Sequence, residues 1–411
     1  MTTFVESPVE LSVTVTPRRV SSLFPSIVAF VAAFGRIVFG MALCFQHLTS
    51  IVVVGWTFRL MRRRIFRGFW KESPIRDEIP FETFLDERPE LDVPFRVVPR
   101  WFAVERIADR IERPKFNGES PGLFRRFFRI PPAFLGGLAI NVKTGVVALA
   151  CTYILTGPAC LLWLGSWYDG WNNSFNKGYE QAFVGPMTGI LGVVLFITAM
   201  LHVPLAWAHL AATGDARAFF AFGFIRKLAR SRPLGTVLLA LFVSLATLPV
   251  SIARAAPSFF VNDNFPYFAT APFEEIVAFT QRFNLFTGGI AFLCFVLAHL
   301  AAGRLYRKSL LALLTRDPSV ANELHPRLAR VLGDLSLLPE GSARRRHPLV
   351  RVVFGTWRWT WNFVLGLALI LLWFTVIAQI YISTFINFRP GVVWFNQPVL
   401  HMPSLHFEPT P

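Results

Sequence analysis

The sequence of 411 residues predicts an all-α fold, a polytopic membrane protein of about six transmembrane helices with amphipathic elbow helices at the interface. Hydrophobic residues make up 54% of the chain and the mean hydropathy is +0.48, while charged residues are only 16%. Soluble domains sit near ~45–50% apolar and about 25% charged. Intrinsic disorder needs low hydrophobicity. Both classes are therefore excluded. The third observation is that long apolar runs alternate with polar segments whose charge also alternates.

A spanning helix needs about 20 apolar residues to cross about 30 Å of hydrocarbon. Five stretches meet that standard, roughly Phe134 to Gly165, Val184 to Leu210, Leu234 to Ile252, Asn284 to Ala302 and Thr360 to Asn387. A sixth region, Leu23 to Leu60, is too long for one straight span and is interrupted by Arg36 and by Gln46-His47. It reads as one span with an amphipathic lead-in, with a tight hairpin as the alternative. The chain then divides into a polar segment (1–22), a first membrane region (23–60), a basic segment with an amphipathic helix (61–133) and a four-span core of two hairpins (134–302). A second basic segment (303–358), a last span (359–388) and a Pro-rich tail (389–411) follow.

The net charge of +16 is not spread evenly. Residues 59–133, 211–233 and 304–358 carry +5, +4 and +7, whereas 165–184, 255–283 and 388–411 carry −1, −2 and 0. Basic loops stay cytoplasmic, so this alternation predicts basic loops inside and the C-terminus outside. Trp163, Trp167, Tyr168 and Trp171 mark one predicted interface and Trp357, Trp359 and Trp361 the other, as aromatic belts do. No cleavable signal peptide is expected, because polar residues precede the first apolar run and no small-x-small site follows it.

Phe and Arg side by side introduce the helices that enter from the basic side, as in Leu123-Phe-Arg-Arg126 and Phe224-Ile-Arg226-Lys227. Prolines follow at Pro131-Pro132, Pro233 and Pro348. This pattern suits an interfacial elbow with guanidinium groups on lipid phosphate, and proline suits the turn into the bilayer. Arg62, Arg63, Arg64, Arg125, Arg126, Arg226 and Lys227 are accordingly expected to face lipid headgroups. Anionic lipid is the expected partner of this charge, with other membrane proteins next. Nucleic acid is not expected, for want of a stacking platform or groove-reading motif. Within the basic segments, Pro74 to Pro99 reads as an extended linker, and Trp101, Val104, Ala108 and Ile111 as the apolar face of an amphipathic helix. Leu310 to Leu335 reads as two short helices.

Ala208-His-Leu-Ala-Ala212 and Ala298-His-Leu-Ala-Ala302 are identical pentapeptides 90 residues apart, each just before a basic segment. Chance recurrence in Ala/Leu-rich helix ends and an ancestral duplication both account for them. Histidines at matching depth on two helices, His209 and His299, could ligate a haem iron or another metal; structural hydrogen bonding is the favoured reading, and no cofactor is expected. Polar residues within spans are functional candidates by default, here Asn141, Lys143, His202 and Gln379 along a possible transport path. Lys143 can also snorkel to the headgroups. Cys44, Cys151, Cys160 and Cys294 form no C-x-x-C pair and read as small apolar residues.

No P-loop, H-E-x-x-H or G-x-S-x-G motif is present. Glu274-Glu275 with Arg282 and Phe295-x-x-x-His299 departs from the glutamate-pair pattern of intramembrane CAAX-type proteases by three residues of spacing. The segment Ala211 to Leu228 resembles a recurring element of uncharacterised bacterial multi-pass membrane proteins of domain-of-unknown-function type. It carries their Thr213-Gly214-Asp215 and Ala221-Phe-x-Phe224. The resemblance implies a bacterial inner-membrane location and brings no activity. Locally, Gly214 is expected to end one helix and Asp215 to cap the next. These features favour a non-enzymatic accessory or organising subunit of a membrane assembly, with a transporter as the alternative and a membrane redox or lipid enzyme third.

Overall fold

The arginine-rich segment after the first apolar run continues a helix whose first half is enclosed by three others, while Arg64 and Arg67 further along it are exposed. A computed structural model describes residues 31, 34–35, 37–44, 47–86, 123–166, 184–261, 271–339 and 348–386, with the backbone alone described for parts of them, 123–134 included. That helix is α1 (His47–Glu72). Val52 to Arg59 are all buried, which requires neighbours around the whole circumference. Those neighbours are α3 (Leu123–Gly165), α5 (Val203–Thr213) and α9 (Phe273–Arg316).

Glycine explains how close α1 and α3 come. A Cβ at Gly55 would collide with the carbonyl of Asn141, and one at Gly145 with the carbonyl of Ile51. The two backbones therefore touch at two levels of the crossing, the small-residue packing on which membrane helices rely for association. Towards the N-terminus, the amide of Cys44 donates to the carbonyl of Met41 at 2.9 Å and closes a turn after the helical residues 37–43.

Among the described residues, five helical stretches are long and apolar enough to cross a membrane, at Leu135–Trp163, Met187–Thr213, Pro233–Ala253, Phe286–Arg316 and Val353–Gln379. The fold is thus a polytopic helical membrane protein, with no strand among the described residues. α3 pairs with α4 (Val184–Met200), and α8 (Pro233–Val261) pairs with both α9 and α11 (Pro348–Ile386). The 44 residues of α9 make a rod of about 66 Å at 1.5 Å per residue, about twice the hydrocarbon thickness. Its last turns run on into the basic end, so the boundary expected near 303 is no break at all: Leu310, Leu311 and Leu314 belong to α9.

The basic end is a packed cap rather than a set of separate helices on the membrane. It is built from the second half of α1, α2 (Phe81–Asp86), α6 (Ala216–Phe219), α7 (Phe222–Ser231), the end of α9, and α10 (Pro326–Asp334). Phe69, Phe84, Phe219, Ile225, Leu310, Leu328, Val331 and Leu335 share one core with the membrane helices. Here the linker expectation is corrected. Residues 74–86 form a 3-10 turn, Pro74–Asp77, and then α2, because Phe81 and Phe84 have core to bury and Trp70 Nε1 donates to the Ile79 carbonyl at 2.9 Å. The remainder of that linker, and the helix expected at Trp101 to Ile111, lie outside the described residues.

The three proline elbows also differ from one another. Between α7 and α8 the backbone breaks at Arg232 (φ −136, ψ 71) and Pro233 starts the span, as expected. Pro348 starts α11. At Pro131-Pro132, however, α3 runs straight through from Leu123; the helix forgoes two amide donors there rather than turning.

The α1–α3 contact yields a paired test. Gly55→Ala and Gly145→Ala each put a methyl group against a rigid carbonyl, and overpacking of this kind costs about 1–3 kcal/mol. A Cβ at Gly157 would meet nothing within 4 Å, and Gly157→Ala should gain up to about 1 kcal/mol in helix propensity. Thermal melts in detergent should order the variants Gly157→Ala, wild type, then the two crossing variants.

Candidate functional site

Of the polar span residues singled out by the sequence, Asn141, His202 and Gln379 each find a hydrogen-bond partner. Asn141, fully buried on α3, accepts from Arg59 of α1 through Oδ1 at 2.5 Å. Arg59 is itself 5% exposed, so this is a charge-assisted bond inside the bundle. Lys143, two residues on, is exposed on the outer surface of α3. The two residues thus diverge, Asn141 facing the bundle interior and Lys143 the outside of α3.

His202 sits where the second span breaks. Pro204 has no N–H to give Met200, so the chain tightens, with the His202 amide donating to the Ala199 carbonyl at 3.0 Å before α5 begins. The ring then reaches the cap, where Nε2 donates to the Phe219 carbonyl at 2.6 Å between the rings of Phe219 and Phe222. Gln379 ties α11 to α8, accepting from Thr247 Oγ1 at 2.6 Å. No hydrogen bond joins any two of Asn141, Lys143, His202 and Gln379 among the described residues.

His209 and His299, equivalent in the repeated pentapeptide, have unlike surroundings. His209 Nδ1 bonds the Tyr306 hydroxyl at 2.8 Å, with Phe224 beside the ring. His299 Nδ1 donates to the Phe295 carbonyl one turn back at 2.8 Å. Its ring stacks on Trp207 with centroids 4.4 Å apart, and Phe295 and Phe58 close the other sides. Trp207 in turn donates from Nε1 to Thr152 Oγ1 at 2.9 Å, so this aromatic cluster locks α1, α3, α5 and α9 together. Each histidine keeps one ring nitrogen that these bonds do not use. No group of three His, Cys, Asp or Glu side chains comes together among the described residues. Glu274 and Glu275 open α9, 25 and 24 residues before His299 on one helix and so about 35 Å from it.

The basic side chains are sorted by the cap. Arg64 and Arg226 are exposed, and Arg63 is half-buried. For Arg125 and Arg126 only the helical backbone is described. Arg62 departs from expectation: it is 3% exposed, its guanidinium lies 5.1 Å from the Phe66 ring centroid, and burial, then the charge of Arg327, push it down to about 9. The reason is its place on the covered side of α1, against Phe66 and near Arg327, whereas Arg64 lies on the exposed side of the same turn. Lys227 is exposed but paired, with Nζ 2.5 and 2.7 Å from the two carboxylate oxygens of Glu323.

A chain of caps joins the elbow to α10. Gly214 closes α5 in the left-handed conformation (φ 69), where glycine meets no steric penalty. Asp215 Oδ1 accepts from the Arg217 amide at 2.9 Å and caps α6. Its Oδ2 lies 3.4 Å from His325 Nε2, while His325 Nδ1 accepts from the Arg327 amide at 3.3 Å and caps α10. Arg327 completes the clasp by donating to the Thr213 carbonyl at 3.2 Å. Sequence spacing identifies the Gly214 and Asp215 roles but not the long-range partner His325. Arg59, Thr152, Trp207 and Tyr306 are equally invisible as a set. Arg59 reads from sequence as the end of a span, and the others as ordinary helix residues.

The bond from the Arg217 amide holds the Asp215 carboxyl below its usual range, with His325 and Arg217 adding to it against partial burial. A lowered carboxylate contributes stability above its unfolded value, near pH 4, and loses it as pH falls through the folded value. Asp215→Ala should cost about 1 kcal/mol through the lost cap. Asp215→Asn should flatten the acid limb of the melting temperature while retaining most of the cap at neutral pH.

The family described as a protein of unknown function, DUF4013, matches residues 127–258. The match covers α3 from its second turn through most of α8, including His202, His209 and the Thr213-Gly214-Asp215 element. The chain is therefore similar, over that region, to a domain of uncharacterised function. No curated protein and no solved structure matches the chain.

Proposed function

We propose that this integral membrane protein is a non-enzymatic organising or accessory subunit of a larger assembly in a bacterial inner membrane, with its basic cap in the cytoplasm. The observation that carries the reading is the use made of polar groups within the bundle. Arg59 and Asn141, Trp207 and Thr152, His209 and Tyr306, and Thr247 and Gln379 are each paired across two helices. Such bonds act as glue between membrane helices, at about 0.6–2 kcal/mol each, and pairs spent in this way hold a shape rather than line a path. Support for the orientation comes from the charge alternation. α11 is the least covered of the five candidate spans and offers a neighbouring subunit the most room.

Affinity purification in mild detergent, followed by native mass spectrometry, tests this. One partner in stoichiometric amount, retained at high salt, is the expected result. A solitary chain, or copies of this chain alone, would overturn it.

The transport reading draws on Arg59, a cation enclosed in the bundle beside Asn141, since intramembrane charges commonly mark ion paths. A survey of solute flux in proteoliposomes separates the two. Flux carried by wild type and abolished in a folded Arg59→Gln variant would replace the organising role with transport.

A further inference from the structure

The helix α7 has two faces of opposite kind. Phe224, Ile225, Leu228 and Ser231 are buried in the cap, and Ser231 Oγ donates to the Ser309 carbonyl at 2.9 Å, fixing the helix against α9. The other face shows Phe222, Arg226, Lys227 and Arg230, followed by Arg232 at the bend. Lys227 is taken by Glu323. No carboxylate among the described residues pairs with Arg226, Arg230 or Arg232.

What lies next to these arginines is the surface of a span. Pro233 starts α8 directly after Arg232, and Leu234 and Leu238 are 50% and 53% exposed, outward-facing apolar residues of a candidate membrane helix. The level is marked a second time on α9. A Cβ at Gly235 would touch the Leu305 side chain at 2.6 Å, so α8 and α9 meet there, beside the exposed Arg304. Exposed guanidinium groups thus stand within a turn or two of the lipid-facing apolar surface, with Phe222 (54% exposed) among them. Guanidinium forks match phosphate oxygens bidentately, and an interfacial helix seats its aromatic residue at the acyl boundary.

We propose that Arg226, Arg230 and Arg232 form a binding site for the phosphate of an anionic glycerophospholipid where α8 enters the bilayer. The site takes lipid rather than free phosphate, because its open side adjoins the apolar surface that acyl chains cover. Covalent continuity with α8 holds it at headgroup depth. The inference needs α8 to span the membrane and does not depend on the organising role, so it stands or falls separately from any partner.

The test is to reconstitute the full chain in equimolar phosphatidylglycerol and phosphatidylcholine, extract it gently, and measure the retained lipids by mass spectrometry. Wild type should retain phosphatidylglycerol in excess. Each arginine near an anionic surface contributes about fivefold in preference, so the triple variant R226Q/R230Q/R232Q should lose most of the excess. The double variant K227Q/E323Q serves as the control, removing that ion pair without changing the local net charge, so that the lipid ratio should stay unchanged. Should the triple variant not fold, Arg230→Gln alone should lower the ratio by up to about fivefold. An unchanged ratio in a folded variant, or displacement of the retained lipid by millimolar inorganic phosphate, would overturn the site.

Discussion

Everything in this fold follows from the contact between α1 and α3, where glycines at 55 and 145 bring two backbones into touch. A helix carrying Arg59, Arg62, Arg63, Arg64 and Arg67 is by composition a poor choice for the centre of a membrane bundle. Close backbone approach makes it one. With no side chain in the crossing, α3 seals one side of α1, α9 and α5 seal the others, and Arg59 is brought within reach of Asn141. Each charge left inside then requires a polar neighbour, since burial of an isolated cation costs several kcal/mol or more. Asn141 meets that requirement for Arg59.

The same contact couples the membrane part to the cap. α1 and α9 both continue past the apolar zone, so the cap core grows on rods whose positions the bundle has already set. Gly68 admits the Arg307 side chain against α1, where a Cβ would collide with its guanidinium, and Arg307 reaches Glu72 at 3.4 Å. Ser73 Oγ donates to the Leu335 carbonyl at 2.6 Å and closes the cap from the far end of the sequence. The elbow α5–α6–α7 is clasped between these through Asp215, His325 and Arg327. A bundle with lipid-exposed walls thereby ends in a conventional water-type core of Phe, Leu and Val.

Five apolar spans, the capping roles of Gly214 and Asp215, and the start of α8 at Pro233 are readable from sequence, because hydrophobic length and turn chemistry are local properties. The cap is not. Its residues, such as Phe69, Phe84, Phe219 and Leu328, come from four separated segments, and each segment alone has too little apolar surface to announce a core. Pro131-Pro132 misleads for a related reason. Proline shows where a helix is weakened, not whether the flanking turns hold it together. Arg62 misleads because charge in a basic segment reads as surface until the neighbours of α1 are known. Among the candidate site residues, composition identifies Asn141, His202, His209, His299 and Gln379, while their partners are mostly long-range and so hidden.

The repeated pentapeptides show how little identical sequence constrains environment. Both copies bury their histidine, yet His209 reaches across to the Tyr306 hydroxyl while His299 turns back to its own helix and stacks on Trp207. The difference lies outside the pentapeptide, in the residues and the helix course around each copy. Pro204 breaks the helix that carries the first copy, so α5 is a short, separate rod that fits between α1 and α9, whereas the second copy lies within the unbroken α9. The two copies then pack against each other across the α5–α9 contact instead of lining equivalent edges. A histidine at a fixed place in a repeat acquires its chemistry from the helix opposite, and here the opposite helix supplies a phenol to one copy and an indole face to the other.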